Sequence, residues 1–134
     1  MDGARPFAVI GGRPGAPRAA YLKRDAAAAA AAIPLPPGVD ATDVFRLGAR
    51  CETSRCTHYS GGVCGLGERI ARQLDPVVDV PPPCTLRPDC RWHAEQGVAA
   101  CLRCPQVITR VPPELSRLRA AAVPQISAPS APLR

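Results

Sequence analysis

Seven cysteines fall between residues 51 and 104, and they constrain the fold of this chain more than any other feature. They form two groups, Cys51-x4-Cys56-x7-Cys64 and Cys84-x5-Cys90-x10-Cys101-x2-Cys104. His58 follows Cys56 by two residues, and His93 follows Cys90 by three. Turn formers anchor both groups: Ser60-Gly61-Gly62 precedes Cys64, and Pro81-Pro82-Pro83 precedes Cys84. Several thiolates that converge on one centre are usually presented from such turns. Four thiolates complete a tetrahedral zinc site or ligate an iron–sulfur cluster.

The rest of the composition makes a staple necessary. The apolar fraction of 46% is inflated by alanine, including the unbroken run from Ala26 to Ala32, while the chain has only 2 Phe, 2 Tyr and 1 Trp. Alanine buries little area, so a large core is out of reach for one 134-residue domain. A small core needs staples, and cysteine is the one on offer. Disulfides fit poorly, because the cysteine count is odd. The opening MDGARPFAVIGGRPG also lacks the charged start and long apolar middle of a signal peptide. The expected location is therefore cytoplasmic, where thiols stay reduced. No apolar run approaches a membrane span, so no membrane partner is expected.

The net charge is +6, carried by arginines with Lys23 as the single lysine. An excess of Ala, Arg, Pro and Gly resembles the coding bias of a GC-rich bacterial genome. A nucleic-acid surface would cluster its charge and interleave stacking aromatics, and here the arginines are spread along the chain.

The segments PFAVIGG and AAYLK, separated by the turn-rich GGRPGAPR, predict a hairpin with a long loop. GGRPG lacks the Lys-Ser/Thr of a phosphate loop, so a plain turn is the better reading. Asp25 caps a predicted alanine helix that Pro34 ends, and PLPPGVDAT reads as a linker. VFRLGARC predicts a strand leading into Cys51. LGERIARQLD places Leu66, Ile70 and Leu74 at four-residue spacing, the best amphipathic helix pattern in the chain. ELSRLRAAAV suggests a short helix, and VPQISAPSAPLR has a disordered composition.

Helix geometry poses a sharp question within CRWHAEQGVAACLRCP. On one straight helix Cys90 and Cys101 would share a face but stand about 16 Å apart at ~1.5 Å per residue. Two thiolates on one zinc are only about 3.8 Å apart, given bonds of ~2.3 Å. A shared centre therefore requires the chain to turn back, and Gly97 is the obvious place. A continuous helix would put Cys90 in a different site.

Zinc sites usually show paired Cys-x2-Cys knuckles, and only Cys101 and Cys104 form one here. The irregular spacings and Pro105 directly after the last cysteine fit iron–sulfur ligation better. The seven thiols can divide as four plus three, with His58 completing the first group as Cys3His, or as four ligands drawn from both groups with spare cysteines. His93 reads as a helix-surface residue. Trp92, Leu66 and Ile70 are expected to shield the site. A redox dithiol at Cys101 and Cys104 would follow a strand and open a helix in a βαβ setting, which Leu102-Arg103 lacks.

The segments GVCGLGERI, PPPCTLRPDCRW and ACLRCPQVIT resemble a family of small, uncharacterised bacterial cysteine-rich proteins, some of them labelled as related to nitrogen fixation. The likeness covers roughly residues 44 to 109, including Trp92 and all seven cysteines. It implies a shared cysteine framework and nothing about substrate. The iron–sulfur transcription regulators of actinobacteria have their Cys-x2-Cys earlier and a Gly-Trp-Gly-Gly turn downstream, so their order does not fit.

The expected architecture is a small α+β, metal-stapled cysteine-rich domain with few regular elements. Residues 1–43 would form an N-terminal segment with hairpin and linker, 44–110 the metal-binding module, and 111–134 a largely disordered tail. The expected metal ligands are Cys51, Cys56, Cys64, Cys84, Cys90, Cys101 and Cys104, with His58 as a further candidate. The leading functional reading is a cytosolic iron–sulfur protein with a redox or accessory role and an unidentified protein partner. The alternative is a zinc-stapled adaptor that binds protein or nucleic acid through its arginines. An enzyme ranks third, because no acid/base pair, nucleophile elbow or nucleotide loop is evident.

Overall fold

The apolar alternation near the N-terminus does form a hairpin, and its turn is tighter than the sequence suggests. In the computed structural model, which describes residues 4–49 and 51–123, β1 (Arg5–Arg13) pairs antiparallel with β2 (Ala16–Tyr21). The register sets Arg13 opposite Ala16, so only Pro14 and Gly15 make the turn. GGRPG is thus strand and turn, with no loop left to cradle a phosphate. VFRLG supplies β3 (Phe45–Gly48), which pairs antiparallel with the other edge of β1 to give the order β2-β1-β3. Phe7 and Phe45 are buried under this sheet, and α1 (Arg24–Ala31) packs against it through Ala30. Lys23, not Asp25, occupies the N-cap of α1; the Asp25 carboxylate instead accepts from the Ala26 N–H within the first turn. Within the expected linker, Asp40 caps the short helix α2 (Ala41–Val44) by accepting from the Thr42 N–H at 2.9 Å.

A second small sheet pairs β4 (Tyr59–Ser60) with β5 (Val63–Cys64) through the Gly61-Gly62 turn. It leads directly into α3 (Gly65–Gln73), the helix predicted from Leu66, Ile70 and Leu74. Ile70 and Leu74 are buried at its centre and end, and Pro76 lies just beyond it. They pack with Val107, Leu118 and Ala121, and Leu66 and Trp92 lean on the cluster from its edge. Burying a side chain such as Ile70 contributes about 1.5–3 kcal/mol.

Three further helices complete the domain: α4 (Arg91–Gln96), α5 (Val98–Cys101) and α6 (Ser116–Ala122). Leu118 and Ala121 lie three residues apart on one face of α6, and both enter the core. This face covers α3, and α6 lies within ELSRLRAAAV, where a short helix is expected. Residues 124–134, most of VPQISAPSAPLR, lie outside the described residues. β2 lies against the 3-10 turn Cys104–Gln106. The result is a small mixed α/β fold with six α-helices and two antiparallel sheets among the described residues. None of those helices is long and apolar enough to cross a membrane.

Arginine side chains tie these short elements together where ladder hydrogen bonds are lacking. Arg46 is 8% exposed on β3 and donates to the carbonyls of Cys104 and Val107, each at 3.0 Å. Its guanidinium also sits between the rings of Phe7 and Trp92, 5.1 and 5.8 Å from their centroids. Arg69 donates to the Ala121 carbonyl at 2.7 Å, and Arg103 to those of Leu74 and Ala99 at 2.6 and 2.8 Å.

The close approach of α3 to α4 depends on a residue without a side chain. A Cβ at Gly67 would stand 2.8 Å from Trp92 Cδ1 and 3.1 Å from its Cγ. Trp92 has little room to yield, because Arg46 occupies the neighbourhood of its ring. Gly67→Ala should therefore destabilise the fold by about 1–3 kcal/mol through overpacking. Thermal unfolding of the variant checks this, and an unchanged midpoint would show that Trp92 is free to move.

Candidate metal centre

Gly97 answers the question posed by the cysteine spacing. It adopts φ 67° and ψ −154°, a conformation that L side chains rarely take, and breaks the segment into α4 and α5. Its N–H donates to the His93 carbonyl at 2.8 Å, closing the first helix before the chain turns. The bend brings Cys101 back toward Cys90, and both line one cavity with Cys84 and Cys104.

That cavity is built from distant parts of the chain. Cys84 and Cys90 bracket a loop that passes through the 3-10 turn Arg87–Asp89. Leu86, on the same loop, sits against Gly48 of β3, where any Cβ would collide with it. Cys101 ends α5, and Cys104 opens the 3-10 turn containing Pro105. Tyr21, Pro82, Arg87, Trp92, His93 and Ala100 complete the walls, which are almost wholly apolar. The shielding role expected of Trp92 is consistent with this position. Leu66 and Ile70 do not line the cavity, because their face of α3 turns into the core instead. His93 was expected on the helix surface. It faces the cavity, with Nδ1 3.6 Å from Cys101 Sγ, because the bend at Gly97 folds α5 over it.

Burial pushes the Cys84 and Cys90 thiols above their usual range, and neighbouring backbone N–H groups only partly offset it. A bound cation reverses this cost, since metal coordination favours the thiolate outright. Among the described residues no three Cys, His, Asp or Glu side chains are drawn together tightly enough to hold a single metal ion.

Two residues of the cavity wall carry buried polar atoms. Among the described residues, the buried side-chain polar atoms without a hydrogen-bond partner are the Tyr21 hydroxyl and Arg87 Nε. Both belong to residues that line this cavity. Burial, and next the nearby Cys104 thiol, raise the Tyr21 phenol well above its ordinary range, so its proton stays in place as a donor. Unpaired buried donors cost about 1–3 kcal/mol each, and groups that accept hydrogen bonds relieve that cost. Four cysteines are the number of donors that tetrahedral zinc and an iron–sulfur cluster each take.

The first cysteine group lies elsewhere. Cys51 is exposed and accepts from Arg91 Nε at 3.2 Å. Arg91 also pairs with Glu95 at 2.9 Å, and Glu95 accepts from the Cys64 N–H at 2.9 Å. Cys64 is the N-cap of α3, its sulfur 3.5 Å from the Gly67 N–H, and Cys56 ends the 3-10 turn Thr53–Arg55. His58 Nδ1 is 2.9 Å from Arg69 Nη2. A guanidinium only donates, so this contact makes Nδ1 the acceptor and puts the imidazole proton on Nε2. Desolvation, then the Arg69 charge, lower the His58 pKa and keep that ring neutral. All seven cysteines are free thiols.

The fold and site thus define a small mixed α/β domain with a four-cysteine cavity. Compared with protein-family models, curated proteins and solved structures, the chain matches none.

Proposed function

We propose that this protein binds an iron–sulfur cluster through Cys84, Cys90, Cys101 and Cys104 and serves as a redox or accessory module for a protein partner. The observation that carries this reading is that four cysteines, from two separated stretches of chain, line one apolar cavity. Such a cluster would supply one-electron chemistry when bound. The apolar walls, with Trp92 and Pro82 among them, would limit water at the site, and Arg46 would hold Cys104 through its carbonyl and lie 3.5 Å from its sulfur.

A zinc staple is the competing occupant of the same four thiols. It is the weaker reading, because the paired Cys-x2-Cys knuckles usual for zinc occur here only once, at Cys101 and Cys104. Binding to nucleic acid through arginine is also weakened, since Arg46, Arg69 and Arg103 are spent on internal carbonyls. Anaerobic purification decides between the occupants. The expected product is a brown protein with bound iron and acid-labile sulfide in comparable amounts. A colourless protein with stoichiometric zinc would overturn the cluster reading.

A further inference from the structure

The N-terminal hairpin contributes a polar group to a cavity otherwise built by the cysteine segments. Tyr21 closes β2 opposite Ala8, its ring packs on Phe7 at 5.8 Å, and its hydroxyl is buried beside the Cys104 sulfur. Arg87, another residue of the cavity wall, is anchored by a hydrogen bond from Nη2 to the Pro82 carbonyl, and its Nε is buried without a partner. Nothing in the fold demands a phenol or a guanidinium Nε–H here. Phenylalanine would make the same ring contact with Phe7.

Resting on the cluster reading, we propose that the Tyr21 O–H and Arg87 Nε–H donate hydrogen bonds to sulfur at this centre and hold its reduction potential up. Hydrogen bonds to the sulfurs are one of the levers that set cluster potentials, together with charge and solvent exposure. On one-electron reduction by a dithionite-class reductant, negative charge is added at the site. Both donors stabilise that charge through their hydrogen bonds. The hairpin thereby acts as a tuning element as well as a cover.

The test compares wild type with Tyr21→Phe, both purified anaerobically. Iron and sulfide content should be unchanged in the variant, because the ring and all four thiols remain. The reduction equilibrium should shift toward the oxidised form by about tenfold, which is ~59 mV to lower potential for one electron. Exchange of the wild type into D2O should also shift its iron–sulfur stretching bands in resonance Raman spectra, and the shift should shrink in Tyr21→Phe. Backbone N–H groups beside Cys84 and Cys90 also exchange, so the isotope shift is read as the difference between the two proteins. An intact cluster with an unchanged potential and the same isotope shift in both proteins would overturn this inference alone. A wild type that takes up zinc and no iron or sulfide would overturn it together with the cluster reading.

Discussion

Replacing Gly97 with alanine is expected to strip the metal centre while leaving most of the fold in place. The residue holds φ 67° and ψ −154°, and a Cβ built there would meet nothing within 4 Å. The penalty is therefore one of backbone conformation, about 1–3 kcal/mol, with no steric clash to add to it. The chain has an easy escape from that strain, which is to continue α4 through position 97. A continuous helix carries Cys101 to about 16 Å from Cys90 at ~1.5 Å per residue, far beyond any shared centre. Iron per chain should fall severalfold in Gly97→Ala, and the thermal midpoint should fall with it, because binding energy at a metal site is folding energy. Gly38→Ala is the control, because Gly38 also has positive φ (84°) and open space around it but lies in the segment before α2. It should lose stability without losing iron. Full iron retention in Gly97→Ala would show that the bend survives without glycine.

The same residue shows what kind of structure this sequence discloses. Local patterns were legible: the four-residue spacing in LGERIARQLD became α3, and the alternation around GGRPGAPR became the β1–β2 hairpin. Gly97 was legible as a question, because helix geometry alone makes Cys90 and Cys101 incompatible unless the chain bends. What stayed hidden were contacts made across long stretches of chain. Arg46 reads as an outward strand position beside Phe45, yet both are buried, because β3 is covered on both faces. Tyr21 reads as the end of a remote hairpin, and only the packing of β2 against the Cys104–Gln106 turn brings it to the cysteines. The arginine excess, read as coding bias or a nucleic-acid surface, supplies carbonyl braces inside an irregular, proline-rich chain. A buried arginine has no periodic signature. Its partners are carbonyls whose positions depend on the finished fold.

The seven cysteines should separate cleanly under substitution by serine. Serine is nearly isosteric but offers a hard, protonated oxygen in place of the soft thiolate that iron and zinc prefer. Removing any one of Cys84, Cys90, Cys101 or Cys104 leaves three thiols around a cavity that also holds two unmatched donors. Each of these four variants should lose at least about tenfold in iron retained per chain. Each should also unfold at lower temperature, because binding energy at a metal site is folding energy. Cys51→Ser should keep its iron, since that thiol is exposed and its contact is with Arg91 Nε. Cys64 gives the sharpest case. It sits at the N-cap of α3 with its sulfur 3.5 Å from the Gly67 N–H, where a serine hydroxyl is among the best residues available. Cys64→Ser should therefore retain full iron and be as stable as wild type or slightly more so. Iron and sulfide analysis beside thermal unfolding reads both quantities. Complete loss of iron from Cys64→Ser would mean that the first cysteine group belongs to the centre, and that the four-thiol cavity is only part of it.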